Sequence, residues 1–112
     1  MIVPAAGVIS NNTVTEADVL VQAGHVHVVA MHAINTTAAA AFVQYFDAAA
    51  VADVTVGTTV PVWVLRSPAS SVSDGDGLPT HGLLFKLGVV IASTTTPTGN
   101  TGAAQHVRTA II

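Results

Sequence analysis

The sequence predicts an all-β fold: a single-domain, jelly-roll-like β-sandwich of six to eight short antiparallel strands. Three observations carry this reading. The apolar residues are mainly Val, Ala, Ile and Leu with Thr and Ser between them, and β-branched side chains suit the pleated, half-buried surface of a strand. Several segments alternate apolar and polar residues with period two, which sends successive side chains to opposite faces. Clusters of Gly, Pro, Asn, Asp and Ser interrupt these segments every 8–12 residues or so, the spacing of sandwiches and barrels.

Each element follows from its own pattern. Residues 1–15 read as an extended N-terminal arm. Residues 18–22 (DVLVQ) form the first strand and residues 24–34 (GHVHVVAMHAI) the second, ended by the polar Asn35, Thr36 and Thr37. Residues 41–47 (AFVQYFD) form the third, with Phe42, Gln44 and Phe46 on one face and Val43 and Tyr45 on the other. The alanines of residues 37–53 have high helix propensity, but the period-two pattern of FVQYF decides for a strand. Residues 51–59, with Gly57, read as a connecting loop. Residues 60–66 (VPVWVLR) form the fourth strand, Pro61 being confined to its start or to a sheet edge. Residues 67–80 are rich in Ser, Gly, Asp and Pro and read as a loop throughout. Residues 82–93 (GLLFKLGVVIAS) are the most apolar run, in which Gly88 marks a bulge or corner. A polar tip (94–102) and an extended closing segment (103–112) complete the chain.

A length of 112 residues gives one domain, able to bury roughly 60–70% of the surface its unfolded chain exposes. The absence of cysteine excludes a disulfide framework and thiolate zinc sites. The opening residues lack the basic region of a secretory signal. Only 8% of residues are charged, against about 25% in an ordinary soluble domain. Arg66, Lys86 and Arg108 are the whole basic complement, too few and too scattered for nucleic-acid binding by counterion release. The 51% hydrophobic content and mean hydropathy of +0.65 raise the question of a membrane span. Residues 19–46 carry no formal charge, yet they include Gln22, His25, His27, His32, Asn35 and Gln44, each costly in hydrocarbon. The expectation is therefore no membrane and no nucleic acid. A neutral surface protects a monomer poorly against association, so a homo-oligomer or an assembly component is expected.

The histidines invite a metal reading. His25 and His27 lie two apart and share a strand face, a spacing that chelates if a neighbouring strand supplies a third ligand. His32 has the opposite parity and falls with Val26, Val28, Ala30 and Ile34, the expected inner face. With no third ligand in sequence, no metal is expected. His25 and His27 read as half-exposed residues near a subunit contact, where imidazole protonation would introduce charge. The tetrad Asp74-Gly75-Asp76-Gly77 lacks the terminal bidentate carboxylate of a calcium loop and reads as Asx turns. No GxSxG elbow, catalytic cysteine or phosphate-binding glycine loop is present, so the chain reads as a non-enzyme without a cofactor. Trp63 and Tyr45, with the Asp74–Asp76 loop, offer a sugar-stacking platform; burial in the core or an interface is the competing role.

The order of segments resembles a family of short phage and prophage virion structural proteins. Its members place a strand ending in Asn before a Val-Lys-Leu-Tyr-Asp type strand, then a Pro-x-Val-Gly-Thr-x-x-Pro-Val stretch and a Pro-Ile-Pro type strand. A Gly-Ile-x-Phe-x-x-Gly-Ile strand and a Thr/Asp-rich tip follow. The matching positions here are residues 42–47, 56–62, 65–69, 81–91 and 94–102. Two features depart from the pattern: histidines stand where aromatics are more usual, and HVRTAII replaces a final aromatic strand. The resemblance implies a capsid cement or decoration protein on the outer surface of the virion, often trimeric, bridging subunits of the major capsid protein. A tail, neck or fibre-associated component of the same fold is the alternative, and a glycan-binding module the alternative of another class. The residues expected at contacts are Met1, Ile2, Val3, Val8, Ile9, Trp63, Leu78, Ile111 and Ile112, because apolar termini do not dangle in solvent.

Overall fold

Nine strands form two antiparallel sheets in the computed structural model, which describes residues 8–14, 19–74, 78–79 and 82–111. They are β1 (Val8–Val14), β2 (Val19–Ala23), β3 (Val26–Asn35), β4 (Ala41–Asp47), β5 (Trp63–Ser67), β6 (Ser71–Asp74), β7 (Leu83–Phe85), β8 (Gly88–Thr94) and β9 (Gln105–Ile111). A short 3-10 turn, Val51–Asp53, lies between β4 and β5. The pairings nest: β1 with β9, β2 with β8, β3 with both β7 and β6, and β4 with β5. The chain is thus one long hairpin ribbon. Two further pairings, β9 with β3 and β8 with β4, join its coils into a first sheet (β1-β9-β3-β6, with β7 also on β3) and a second (β2-β8-β4-β5). A wound antiparallel ribbon of this order is a jelly roll.

The core between the sheets follows strand alternation. Val43 and Tyr45 of β4, Val89 and Ile91 of β8, Val107 and Ile111 of β9, and Phe85 meet there, all nearly or fully buried. Tyr45 and Phe85 pack as a tilted aromatic pair with centroids 6.5 Å apart. Across the core the Tyr45 hydroxyl lies 2.8 Å from Thr109 Oγ1. Burial pushes the Tyr45 phenol up to about 12, against a smaller opposing effect of that hydrogen bond.

The two central strands of the second sheet, β4 and β8, are covered on both sides, whereas its edge strands β2 and β5 keep exposed residues. Phe46, Val90 and Ala92 turn away from the main core and are covered by Ala48, Val54 and Val56 of the β4–β5 connection. The tip after β8 covers the next part of the same side, where Gln44 Nε2 donates to Thr94 Oγ1 (2.7 Å) and to the Gly99 carbonyl (3.0 Å). Every residue of β8 is therefore buried, which explains why this run is continuously apolar rather than alternating.

Two polar side chains fix the turns. Asn35 is buried; its Nδ2 lies within hydrogen-bond distance of the carbonyls of Ala39, Ser67 and Pro68, and its Oδ1 accepts from the Thr37 backbone N–H and hydroxyl. It ties the β3–β4 turn to the β5–β6 turn. The Asp47 carboxylate accepts from the backbone N–H groups of Lys86 (3.2 Å), Leu87 (2.8 Å) and Gly88 (3.4 Å), closing the β7–β8 corner. Partial burial would raise its pKa, but those three donors and the Lys86 charge outweigh it and hold the carboxyl below its ordinary value.

Three expectations change. The strands number nine among the described residues, not six to eight, because residues 67–80 contain β6, residues 82–93 divide into β7 and β8, and residues 8–14 form β1. Ser71–Asp74 has little strand propensity; it is a strand because the end of β3 offers it a partner. The corner between β7 and β8 is where Gly88 was expected to act, at φ 148°. The fourth strand starts at Trp63 rather than at residue 60, clear of Pro61. Of the N-terminal arm, Val8–Val14 is a paired strand of the first sheet, and residues 1–7 lie outside the described residues.

Candidate interaction face

The parity of β3 decides what the first sheet shows to the outside. Opposite β9 the register shifts between Val28 and Ala30, so Val29 is an extra residue that reverses the alternation beyond it. Before the bulge Val26 and Val28 are buried and His27 is exposed; after it Met31, Ala33 and Asn35 are buried. His32 consequently stands half-buried on the outer side, with His27, and not on the inner face that unbroken alternation predicts. The bulge falls between the part of β3 paired with β7 (Val26–Val28) and the part paired with β6 (His32–Asn35).

Four of the five strands of the first sheet, β3, β6, β7 and β9, contribute described side chains to its outer side. In β9 the half-buried His106 and Ala110 flank the exposed Arg108, and by register they lie beside Ile34, Ala30 and His32 of β3. On the opposite edge of β3, Val72 stands opposite Ile34, and Leu84 opposite His27. Val29, Leu84 and Val72 are 40%, 46% and 55% exposed. A groove of about 210 Å³ runs between β3 and β9, lined by Ala30, Met31, His32, Arg108 and Ala110. No apolar cluster like the one over the second sheet forms on this side among the described residues. The face is a mixture of aliphatic carbon, imidazole and one guanidinium, a composition suited to burial against another protein surface. Alternation alone did not reveal it, because the bulge at Val29 hides it.

The other expected site residues fall as follows. His25 is exposed in the turn before β3, and among the described residues no three His, Asp or Glu side chains come together as a metal would require. Trp63 is half-buried at the start of β5, opposite Tyr45, and packs on the core with Leu78. Tyr45 is fully buried, so the two rings form no exposed platform. Ile111 is 3% exposed, because its parity in β9 turns it into the core rather than to a contact. Val8 and Ile9 are residues of β1, while Met1, Ile2, Val3, Ile112 and residues 75–77 of the Asp-Gly tetrad lie outside the described residues. No helix among the described residues is long and apolar enough to cross a membrane. No protein-family model, no curated protein and no solved structure matches this chain.

Proposed function

We propose that this chain is a virion structural protein, a capsid cement or decoration protein that stabilises the head by bridging major capsid protein subunits. The observation that carries the proposal is the asymmetry of the two sheets. The central strands of one are covered by its own loops, and the other leaves a charge-poor aliphatic and histidine face open. Such a face is a liability on a free monomer and is accommodated on an assembled shell, where many copies add binding free energy through avidity. The jelly-roll architecture recurs in capsid proteins and in lectins alike, so it supports the reading without singling it out. The burial of Tyr45 removes the aromatic platform on which a glycan-binding reading would rest.

Particles assembled without the protein and then supplied with it test the proposal. A decoration protein is taken up at on the order of hundreds of copies per head, and a neck protein at about a dozen, as their symmetries demand. The double variant Val29→Glu and Leu84→Glu should lower occupancy while leaving the fold unchanged by circular dichroism. Absence of uptake by particles overturns the reading, and a count near a dozen moves the protein to the neck or tail.

A further inference from the structure

The sheet edges of this fold are protected unequally. An edge strand presents unpaired N–H and C=O groups, and proteins blunt such edges with short strands, bulges or charges. β6 and β7 are only 4 and 3 residues long. β2 is interrupted by a register shift between Leu20 and Gln22. β5 carries the exposed Arg66, whose carbonyl accepts a hydrogen bond from Ser73 Oγ at 2.7 Å. β1 has none of these devices. Its 7 residues, VISNNTV, include no charge and no proline, and they pair with β9 from end to end without a register shift. Among the described residues no strand pairs with its other edge.

We propose that β1 pairs antiparallel with β1 of a second copy, about a two-fold axis at Asn11, joining two first sheets into one continuous sheet. The strand itself argues for a second copy as the occupant. A two-fold axis normal to the sheet keeps the outer face outward in both copies. Opposed residues must then share alternation parity, which centres the register on a residue. Centring it on the middle residue, Asn11, overlaps the whole strand. Val8 then stands opposite Val14, Ile9 opposite Thr13, Ser10 opposite Asn12 and Asn11 opposite itself. The strand is chemically palindromic: valine at both ends, β-branched residues next, small polar residues inside. Because β1 is uncharged, self-pairing sets no like charges opposite each other, the arrangement that destabilises cross-strand pairs. One strand pair covers less than the roughly 1,200 Å² of a stable interface, so the contact is weak between free copies and gains strength in an array. It is isologous, unlike the head-to-tail contacts of a three-fold ring, and it does not depend on the virion assignment.

Disulfide trapping in the full chain tests the register, since the native sequence has no cysteine to interfere. Opposed Cα atoms in an antiparallel pair lie about 4.5–5.5 Å apart, within the roughly 4.4–6.8 Å that a disulfide spans. Asn11→Cys should form a covalent dimer under mild oxidation. At a protein concentration high enough to populate this weak pair, the rate should exceed that of the collision control Val60→Cys, at an 81% exposed position, by about tenfold or more, because pairing holds the two thiols in reacting geometry. Val8→Cys alone should match the control, whereas Val8→Cys mixed with Val14→Cys should again be fast. Circular dichroism verifies the native fold of each variant. If Asn11→Cys fails to fold, the mixture of Val8→Cys and Val14→Cys tests the same register. Crosslinking of Asn11→Cys or of that mixture no faster than Val60→Cys in folded protein overturns the proposal, as does Val8→Cys alone crosslinking as fast as Asn11→Cys.

Discussion

Tyr45 and Thr109 join the two sheets through the core: their side-chain oxygens lie 2.8 Å apart, one on β4 and one on β9, and both residues are fully buried. Removing one partner strands the other in apolar surroundings. Tyr45→Phe or Thr109→Val alone should each lower stability by about 1–3 kcal/mol. The double variant should lose less than the sum of the two, because no buried polar group is left unpaired. Urea unfolding of the four proteins in a double-mutant cycle measures this.

The same tyrosine makes a pH prediction. Its phenol titrates at about 12 in the folded protein against an ordinary 10.0. A raised folded value means that the unfolded chain ionises first. Stability from this group is complete below pH 10 and is lost as pH rises toward 12. Tyr45 is the only tyrosine in the chain, so phenolate absorbance reports it alone. The native titration should have its midpoint near 12, and Tyr45→Phe should flatten the alkaline loss of stability. A midpoint at 10 in folded protein would contradict the burial of this ring.

Asp47 acts at the opposite end of the pH scale. Its carboxyl is held below the ordinary 3.8 by three backbone donors and Lys86, in spite of partial burial. Its stabilisation is present above that ordinary value and is lost as pH falls below it through the lowered one. Asp47→Asn should cost about 1 kcal/mol near neutrality, a small figure because the carboxylate is partly in water. Stability measured from pH 6 down to pH 2 should show a shallower acid limb in the variant.

Asn35 joins two turns with both ends of its amide. Asn35→Ala should destabilise by about 2–4 kcal/mol, since several buried groups lose their partner together. Asn35→Asp should be worse, because a carboxylate oxygen would face the carbonyls of Ala39, Ser67 and Pro68, which now receive an amide N–H. Thermal unfolding of the pair tests the order, and an Asp variant more stable than the Ala variant would contradict the hydrogen-bond assignment.

Two glycines separate backbone strain from steric exclusion. At Gly88 (φ +148°) a Cβ would meet the Ala48 carbonyl at 2.6 Å and the Gln22 carbonyl at 2.8 Å, whereas at Gly24 (φ +91°) it would meet nothing within 4 Å. Gly24→Ala should cost about 1–2 kcal/mol from its backbone conformation alone. Gly88→Ala should cost more than about 3 kcal/mol and should loosen the β7–β8 corner. Equal losses in chemical denaturation would refute the steric argument.

The residues show where sequence is a sufficient guide to this fold. β4 coincides with its expected span because five consecutive residues alternate and both faces find cover. Pro61 and Gly88 punctuate the chain where their backbone limits require. β6 was hidden because its strand state is imposed by the free edge of β3, not by Ser71, Val72, Ser73 and Asp74 themselves. The position of His32 was hidden because one residue, Val29, reverses parity, and the local run of apolar residues around it gives no sign of the bulge. The candidate face inherits this opacity: its members come from β3, β6, β7 and β9, and no local pattern relates them.

The nested ribbon sets an order of assembly in time. The innermost pair, β4 with β5, closes the shortest loop of any strand pair, residues 48–62, whereas β1 with β9 pairs the strands furthest apart in sequence and carries the largest closure entropy. This order predicts zippering outward from β4 and β5, with β1 docking last. In hydrogen exchange the β1 amides should open with the smallest free energy and those of β4 and β8 with the largest. A strand that arrives last is also the first to be free again. The seven residues of β1 are therefore where the native sheet begins to open.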